Sequence, residues 1–221
     1  MRINAFLIQK LNKSSKEVKK LIEESTVLID NIPAVQKQKI TYKNSVEVNG
    51  VCLQLKSDYF YFAYYKPKGV ESTMNKNIDN NLCESTGITN KFFPIGRLDK
   101  DSEGLMILTN NGTLYNTIIS PLKNVEKEYL VVVDKELNND LISQLSCGVE
   151  IMGKKTKECL VHKLDEYNFR IILTEGKNRQ IRRMCYKLNL EVITLKRIRI
   201  GKMHLGSMQP KDLIKIALSD I

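Results

Sequence analysis

The segment Gly96-Arg97-Leu98-Asp99-Lys100-Asp101-Ser102-Glu103-Gly104-Leu105-Met106-Ile107-Leu108-Thr109-Asn110-Asn111-Gly112 constrains the fold more than any other stretch of the chain. A charged turn runs straight into an apolar strand, Leu105 to Thr109. The Asn110-Asn111-Gly112 turn then stops the strand. Arg97 and Asp99, two residues apart, are thereby set at the mouth of a sheet. Asp99 has three readings. It is a nucleophile or general base held by arginines, a turn aspartate that satisfies backbone donors, or half of an Asp99-Lys100-Asp101 metal site. Spacing alone favours the turn residue. The metal reading lacks the further carboxylates that Mg²⁺ prefers.

The rest of the chain divides in two. Residues 1–57 form a small unit. Ile3, Phe6, Leu7 and Leu11 recur at helical spacing. Asn12-Lys13-Ser14-Ser15 breaks that helix, and a serine there caps a second one from about Lys16 to Glu24. Strands follow at Val27-Leu28-Ile29 and near Val46-Glu47-Val48. Residues 58–221 form the larger unit. Tyr59 to Tyr65 is a buried strand of β-formers that stops at Lys66-Pro67-Lys68-Gly69. Residues 71–91 are polar and Asn-rich and read mostly as loop. Leu114 to Ile119 is helical, with Pro121 just past its end. Strands are expected at Lys127 to Asp134, Phe169 to Thr174 and Val192 to Ile200. Helices are expected at Leu137 to Leu145 and after Asn178, which is placed to cap. Strands and helices are interspersed without a β-α-β rhythm. The expected fold class is therefore α+β with a mixed sheet.

Composition narrows the partners. The formal net charge of +10 points to a polyanion, nucleic acid before an anionic membrane. The charge is also local. Between Gly176 and Lys202 nine basic residues stand against one acidic residue. Arg179, Arg182 and Arg183 share one side of a helix whose other side is Ile181, Met184, Cys185 and Leu188. Arg197 and Arg199 share a strand face by two-residue periodicity. Arginine forks suit phosphate. Five scattered cysteines without a Cys-x-x-Cys, and two histidines, argue against both a zinc cluster and a disulfide framework. His162 and His204 have no nucleophile motif beside them and read as structural or surface residues. No signal peptide and no membrane-spanning run is expected, which suits a cytoplasmic protein.

Taken together, the motifs resemble the pseudouridine synthases of the RsuA/RluB/RluE/RluF type, with the RluF branch nearest in pattern. Lys66-Pro67-Lys68-Gly69 resembles the family's first motif, and Gly96-Arg97-Leu98-Asp99 with Ser102-Glu103-Gly104-Leu105 its catalytic motif. Lys127-Glu128-Tyr129 matches the motif of the active-site tyrosine. Glu175-Gly176-Lys177-Asn178-Arg179-Gln180-Ile181-Arg182-Arg183-Met184 matches the basic motif, and Leu195-Lys196-Arg197-Ile198-Arg199-Ile200-Gly201 the last strand. The resemblance implies a catalytic domain over 58–221 with a mainly antiparallel sheet and flanking helices. It implies isomerisation of a uridine in structured RNA, ribosomal RNA first and tRNA second, without cofactor or metal, by a monomer.

The same resemblance implies the site roles. Asp99 acts on the ribose, and Tyr129 packs on the flipped base. Arg182 pairs with Asp99, Arg97 holds RNA, and Leu195 packs on the base. Lys66 lines the cleft. Lys177, Arg179, Arg183, Arg197 and Arg199 contact phosphates. Residues 1–57 resemble an S4 RNA-binding module, with Lys16, Lys19 and Lys20 toward RNA. The module departs from pattern at Ser15-Lys16, at Ser25 and at Leu28-Ile29-Asp30-Asn31. Lysine there keeps the charge but not the bidentate fork. The first choice of RNA is the large-subunit ribosomal RNA; the alternatives are an enzyme of this family acting on small-subunit ribosomal RNA or tRNA, a non-catalytic RNA-binding or ribosome-assembly protein of the same fold, and a metal-dependent phosphohydrolase using Asp99 and Asp101.

Overall fold

The computed structural model describes residues 1–41, 43–54, 59–88, 92–119 and 124–221. The expected boundary at 57/58, residues 89–91 of the expected loop, and Pro121 lie outside the described residues. The chain separates into two compact units, Met1–Tyr59 and Phe60–Ile221.

The first unit begins with α1 (Ile3–Leu11) and α2 (Ser15–Glu23). Ser14 and Glu17 make a reciprocal capping box. The Glu17 N–H donates to Ser14 Oγ at 3.3 Å, and the Ser14 N–H donates to Glu17 Oε2 at 2.9 Å. Such a cap is worth about 1 kcal/mol. Strands β1 (Val27–Ile29), β2 (Ile32–Pro33), β3 (Val46–Val48) and β4 (Val51–Gln54) form a sheet in the order β2-β1-β3-β4. Ile3, Phe6 and Leu7 of α1 and Val18 and Ile22 of α2 bury against Val27, Ile29, Val46 and Val48.

The second unit runs through β5 (Tyr61–Lys66), α3 (Leu82–Thr86), β6 (Phe93–Ile95), β7 (Glu103–Thr109), α4 (Gly112–Ile119) and β8 (Lys127–Val133). It continues with α5 (Asn139–Ser146), β9 (Glu150–Ile151), β10 (Lys154–Lys155), β11 (Leu160–Lys163) and β12 (Asn168–Leu173). It ends with α6 (Gln180–Lys187), β13 (Val192–Ile200), β14 (Met203–His204) and β15 (Leu213–Ile216). A nine-stranded sheet carries β11-β12-β8-β13-β7-β5-β15 in order, with β14 added to β13 and β6 to β7. Its pairs are antiparallel except β13 with β7, which is parallel. The α+β class with a mixed, mainly antiparallel sheet is therefore what the chain forms.

Residues directly opposite in neighbouring strands share a face. One such row crosses the sheet as Ile171, Tyr129, Arg197, Gly104 and Lys66. The same face buries Val131, Phe169 and Leu195 beneath Ile181, Met184 and Cys185 of α6. Farther along it, Tyr64, Met106 and Leu108 pack with Leu98 and Leu82. The opposite face buries Ala63, Tyr65, Leu105 and Ile107 with Ile118 of α4. Leu82–Thr86, within the stretch read as loop, is a five-residue helix capped by Asn81, whose side chain accepts from the Glu84 N–H.

Candidate active site

The turn before β7 is fixed from three sides. Ser72 Oγ donates to the Leu98 carbonyl at 2.6 Å and accepts from the Leu98 N–H at 3.1 Å. The Gly69 N–H donates to the Lys100 carbonyl at 2.8 Å, and the Ser102 N–H to the Asp99 carbonyl at 3.0 Å. Leu98 is buried among Tyr64, Met106 and Leu108, and half-buried Tyr129 packs against the same cluster. Leu98 and Tyr129 thus bring the Asp99 turn and the tyrosine strand to one apolar patch. The Asp99 carboxylate takes no backbone hydrogen bond among the described residues. Its charged contact is Arg179 Nη1 at 3.5 Å, with the aspartate side chain 30% exposed.

Arg182 departs from expectation. Instead of Asp99 it reaches Asp101, with Nε 3.3 Å from Oδ2. Its other nitrogens donate to the Asp101 carbonyl at 3.1 Å, to Ser102 Oγ at 3.4 Å and to the Val192 carbonyl at 2.8 Å. The helix projects it toward the chain just beyond Asp99, where three acceptors lie together. Arg179, expected at a phosphate, instead spans both carboxylates. Its fork donates to Asp101 at 3.2 and 3.0 Å. Burial pushes the Asp101 carboxyl up, but the Arg179 hydrogen bond and the charges of Arg182 and Arg179 outweigh it and hold the group below its usual value.

Other expected RNA contacts are also placed differently. Arg197 is 2% exposed, so it is not a phosphate ligand; its Nε donates to the Leu105 carbonyl at 2.7 Å and ties β13 to β7. A register shift between Arg197 and Arg199 sets Arg197 opposite Tyr129 and Arg199 opposite Glu128, so they do not share a face. Arg199 is neutralised by Glu128 at 2.7 Å and Glu126 at 2.8 Å. Leu195 is buried under α6 and has little surface to offer a base. Asn178 does not cap α6. The N-cap is Arg179, in the left-handed region at φ +49°, and Asn178 Oδ1 accepts from Arg183 at 3.2 Å. Lys177 pairs with Glu175 at 3.5 Å and donates to the Lys155 carbonyl. Arg97 is exposed beside the turn. Lys16, Lys19 and Lys20 are exposed on α2 in the first unit, the latter two with glutamates one turn on.

Lys66 does not line the cleft. It is fully buried, and its ammonium donates to the Pro67 carbonyl at 2.9 Å and the Val70 carbonyl at 2.8 Å, bracing the loop that holds Lys100. Burial lowers its pKa to about 8, against the raising influence of Glu71, Asp101, Asp99 and Glu103. The folded value lies below the unfolded one, so burying the charge costs stability at every pH below about 8. That cost is relieved as pH rises from about 8 toward the unfolded value of 10.5. Urea titrations of the native chain and Lys66→Met should differ by a constant amount below pH 7.5. Between pH 8 and 10 the native chain should gain relative stability, on the order of 3 kcal/mol at the limit. A pH-independent difference would refute the buried, charged lysine.

The comparisons with known proteins bear on this geometry. A model of the RNA pseudouridylate synthase family matches residues 60–187. The chain belongs to the RNA pseudouridylate synthase family. It is 38% identical over 226 residues to the dual-specificity RNA pseudouridine synthase RluF of Escherichia coli (strain K12), covering all of this chain and 78% of the relative. It is 34% identical over 215 residues to the uncharacterized RNA pseudouridine synthase YtzG of Bacillus subtilis (strain 168), covering 93% of this chain and 90% of that one. A crystal structure of a pseudouridylate synthase superposes with a TM-score of 0.70 at 24% identity, over the whole of this chain and 97% of the other, and so shares the fold.

As a family member the chain is an isomerase acting on RNA, and the site must act on a carbon–nitrogen bond of a nucleoside. Ser72 was not among the residues singled out from sequence, and Asp101 was singled out only as half of a metal site. Asp101 was visible only as the second carboxylate of Asp-x-Asp. Ser72 had no signal, because its partner lies 26 residues away.

Proposed function

We propose that the chain converts one uridine of structured RNA, in large-subunit ribosomal RNA, to pseudouridine, with Asp99 as the essential carboxylate. The observation that carries this is a partly exposed carboxylate on a held turn, faced by a guanidinium, with the preceding residue of that turn, Leu98, in one apolar cluster with a half-buried tyrosine. The N1–C1′ bond breaks, the base turns over, and C5 joins C1′. An ionised carboxylate serves this either as nucleophile toward the ribose or as base at C2′.

The uridine must leave its stack to reach the turn. Tyr129 offers a ring face to the flipped base and is placed to accept the C5 proton. Exposed Arg97 and half-buried Arg183 and Lys177 bring positive charge to the same end of the sheet for backbone phosphates. Residues 1–57 act as an S4-like RNA-binding module through α2. The Lys19–Glu23 and Lys20–Glu24 pairs are exposed and weak, which leaves those lysines available to phosphate. The words dual-specificity in the RluF name support a second RNA substrate, which the family resemblance makes a tRNA.

The test is tritium release from 5-³H-uridine transcripts of ribosomal RNA and tRNA, with pseudouridine mapping in cells with and without the gene. Release from ribosomal transcripts and the loss of a mapped site are expected. No release and no lost site would favour the non-catalytic RNA-binding alternative. EDTA should leave release unchanged, because both carboxylates of the Asp-x-Asp face arginine. Loss of turnover in EDTA would restore the metal reading of Asp99 and Asp101.

A further inference from the structure

Asp101 is where both arginines of the site meet. Its two oxygens take the Arg179 fork at 3.2 and 3.0 Å, and Arg182 Nε lies 3.3 Å from Oδ2. Arg182 also grips the Asp101 carbonyl at 3.1 Å and is anchored behind by the Val192 carbonyl at 2.8 Å. A continuous relay therefore runs from β13 through Arg182, Asp101 and Arg179 to Asp99. We propose that Asp101 is a positioning residue that holds Arg179 over Asp99. This rests on Asp99 being the catalytic carboxylate.

Three physical points support the assignment. Arg179 is the N-cap of α6 at φ +49° and makes no side-chain cap hydrogen bond, so its helix does not fix its side chain. A long, exposed arginine is otherwise free in several torsions, and a bidentate carboxylate sets the plane of its guanidinium. With that plane set, one nitrogen lies 3.5 Å from Asp99. Charge gives the second point. Two carboxylates and two guanidiniums make a neutral cluster, in which Arg179 is shared. Without Asp101, both arginines turn to Asp99 as sole counter-ion and bind the reacting carboxylate in a different geometry. Exposure gives the third. The Asp101 side chain is 47% exposed, and ion pairs that open to water add little to stability. The value of this pair lies in geometry at the neighbouring carboxylate.

The experiment uses the full chain and steady-state tritium release for Asp101→Asn, Arg179→Gln and the double variant, with Asp99→Asn as control. Asp101→Asn should lower kcat by roughly ten- to a hundredfold, the scale of a small misplacement of a reacting group. KM should stay within about threefold, and the melting temperature should be close to that of the native chain, because the Arg179 pair is exposed and Arg182, itself 14% exposed, keeps its bonds to the Asp101 and Val192 carbonyls. Because Asp101 acts through Arg179, the double variant should fall no more than about threefold below the weaker single variant. Native kcat in Asp101→Asn would overturn the inference. So would multiplicative losses in the double variant, or a rise in KM with kcat unchanged, which would make Asp101 a determinant of RNA grip. An inactive Asp99→Asn beside a fully active Asp101→Asn removes this inference alone. A fully active Asp99→Asn removes the reading on which it rests.

Discussion

Asp99→Asn abolishes tritium release from 5-³H-uridine RNA, by at least about 10³-fold in kcat, while RNA affinity stays within about threefold of native. Asparagine has the shape of aspartate but neither its negative charge nor its nucleophilic oxygen. It therefore serves neither chemical route at the ribose. Losses of this size are usual when the group that attacks or accepts is removed outright. The fold should tolerate the change. The turn is held by backbone groups and Ser72, and the Asp99 carboxylate accepts no backbone hydrogen bond among the described residues. The amide also removes the partner of one Arg179 contact, but Asp101 keeps the fork in place. A filter-binding titration beside the tritium assay separates the two effects. Native turnover in this variant would refute the role given to Asp99.

The second large effect falls on folding. Gly104→Ala should destabilise the second unit by roughly 4 kcal/mol or more, a large share of the total for a domain. Gly104 has φ +111°, a conformation that side-chain-bearing residues rarely adopt. A Cβ there would lie 2.3 Å from the Arg197 carbonyl oxygen and 2.7 Å from its nitrogen, both backbone atoms of the adjacent strand. Neither can move without opening the parallel pairing of β7 and β13. Gly69→Ala is the control. Its φ of +87° is also positive, but a Cβ meets nothing within 4 Å. It should cost only about 1 kcal/mol, the conformational part alone. Urea midpoints for the two variants check the contrast, and equal midpoints would show that the close approach is not what requires glycine.

These residues also show what a sequence can reveal of such a site. The strand after the Asp99 turn, the Tyr129 strand and the amphipathic α6 were legible because each carries its own periodicity. The fold class followed from their alternation. Asp99, Tyr129 and the α6 arginines were legible as a set only through their resemblance to a family, since composition and spacing leave Asp99 a turn residue. The partner of each arginine was not legible. Two-residue periodicity puts Arg197 and Arg199 on one face, but an irregularity between them reverses that, and irregular register is decided by pairing with β8. The resemblance pairs Arg182 with Asp99, whereas the structure gives it Asp101. The edge strand Leu213–Ile216 escaped because its definition lies in its pairing with distant β5. Leu82–Thr86 escaped because five residues carry too little pattern to stand out from an Asn-rich stretch.

The parallel contact between β13 and β7 has a consequence for how the protein is made. Arg197 and the Leu105 carbonyl it binds are 92 residues apart, and the two arginines that face Asp99 and Asp101 are almost as distant. Contacts so far apart in the chain close late, after the local hairpins have formed. During synthesis the Asp99 turn emerges well before α6 and β13. A growing chain therefore carries the Asp99 carboxylate without its arginines and without the strand that Gly104 abuts. The arrangement around Asp99 is complete only when α6 and β13 have left the ribosome and docked.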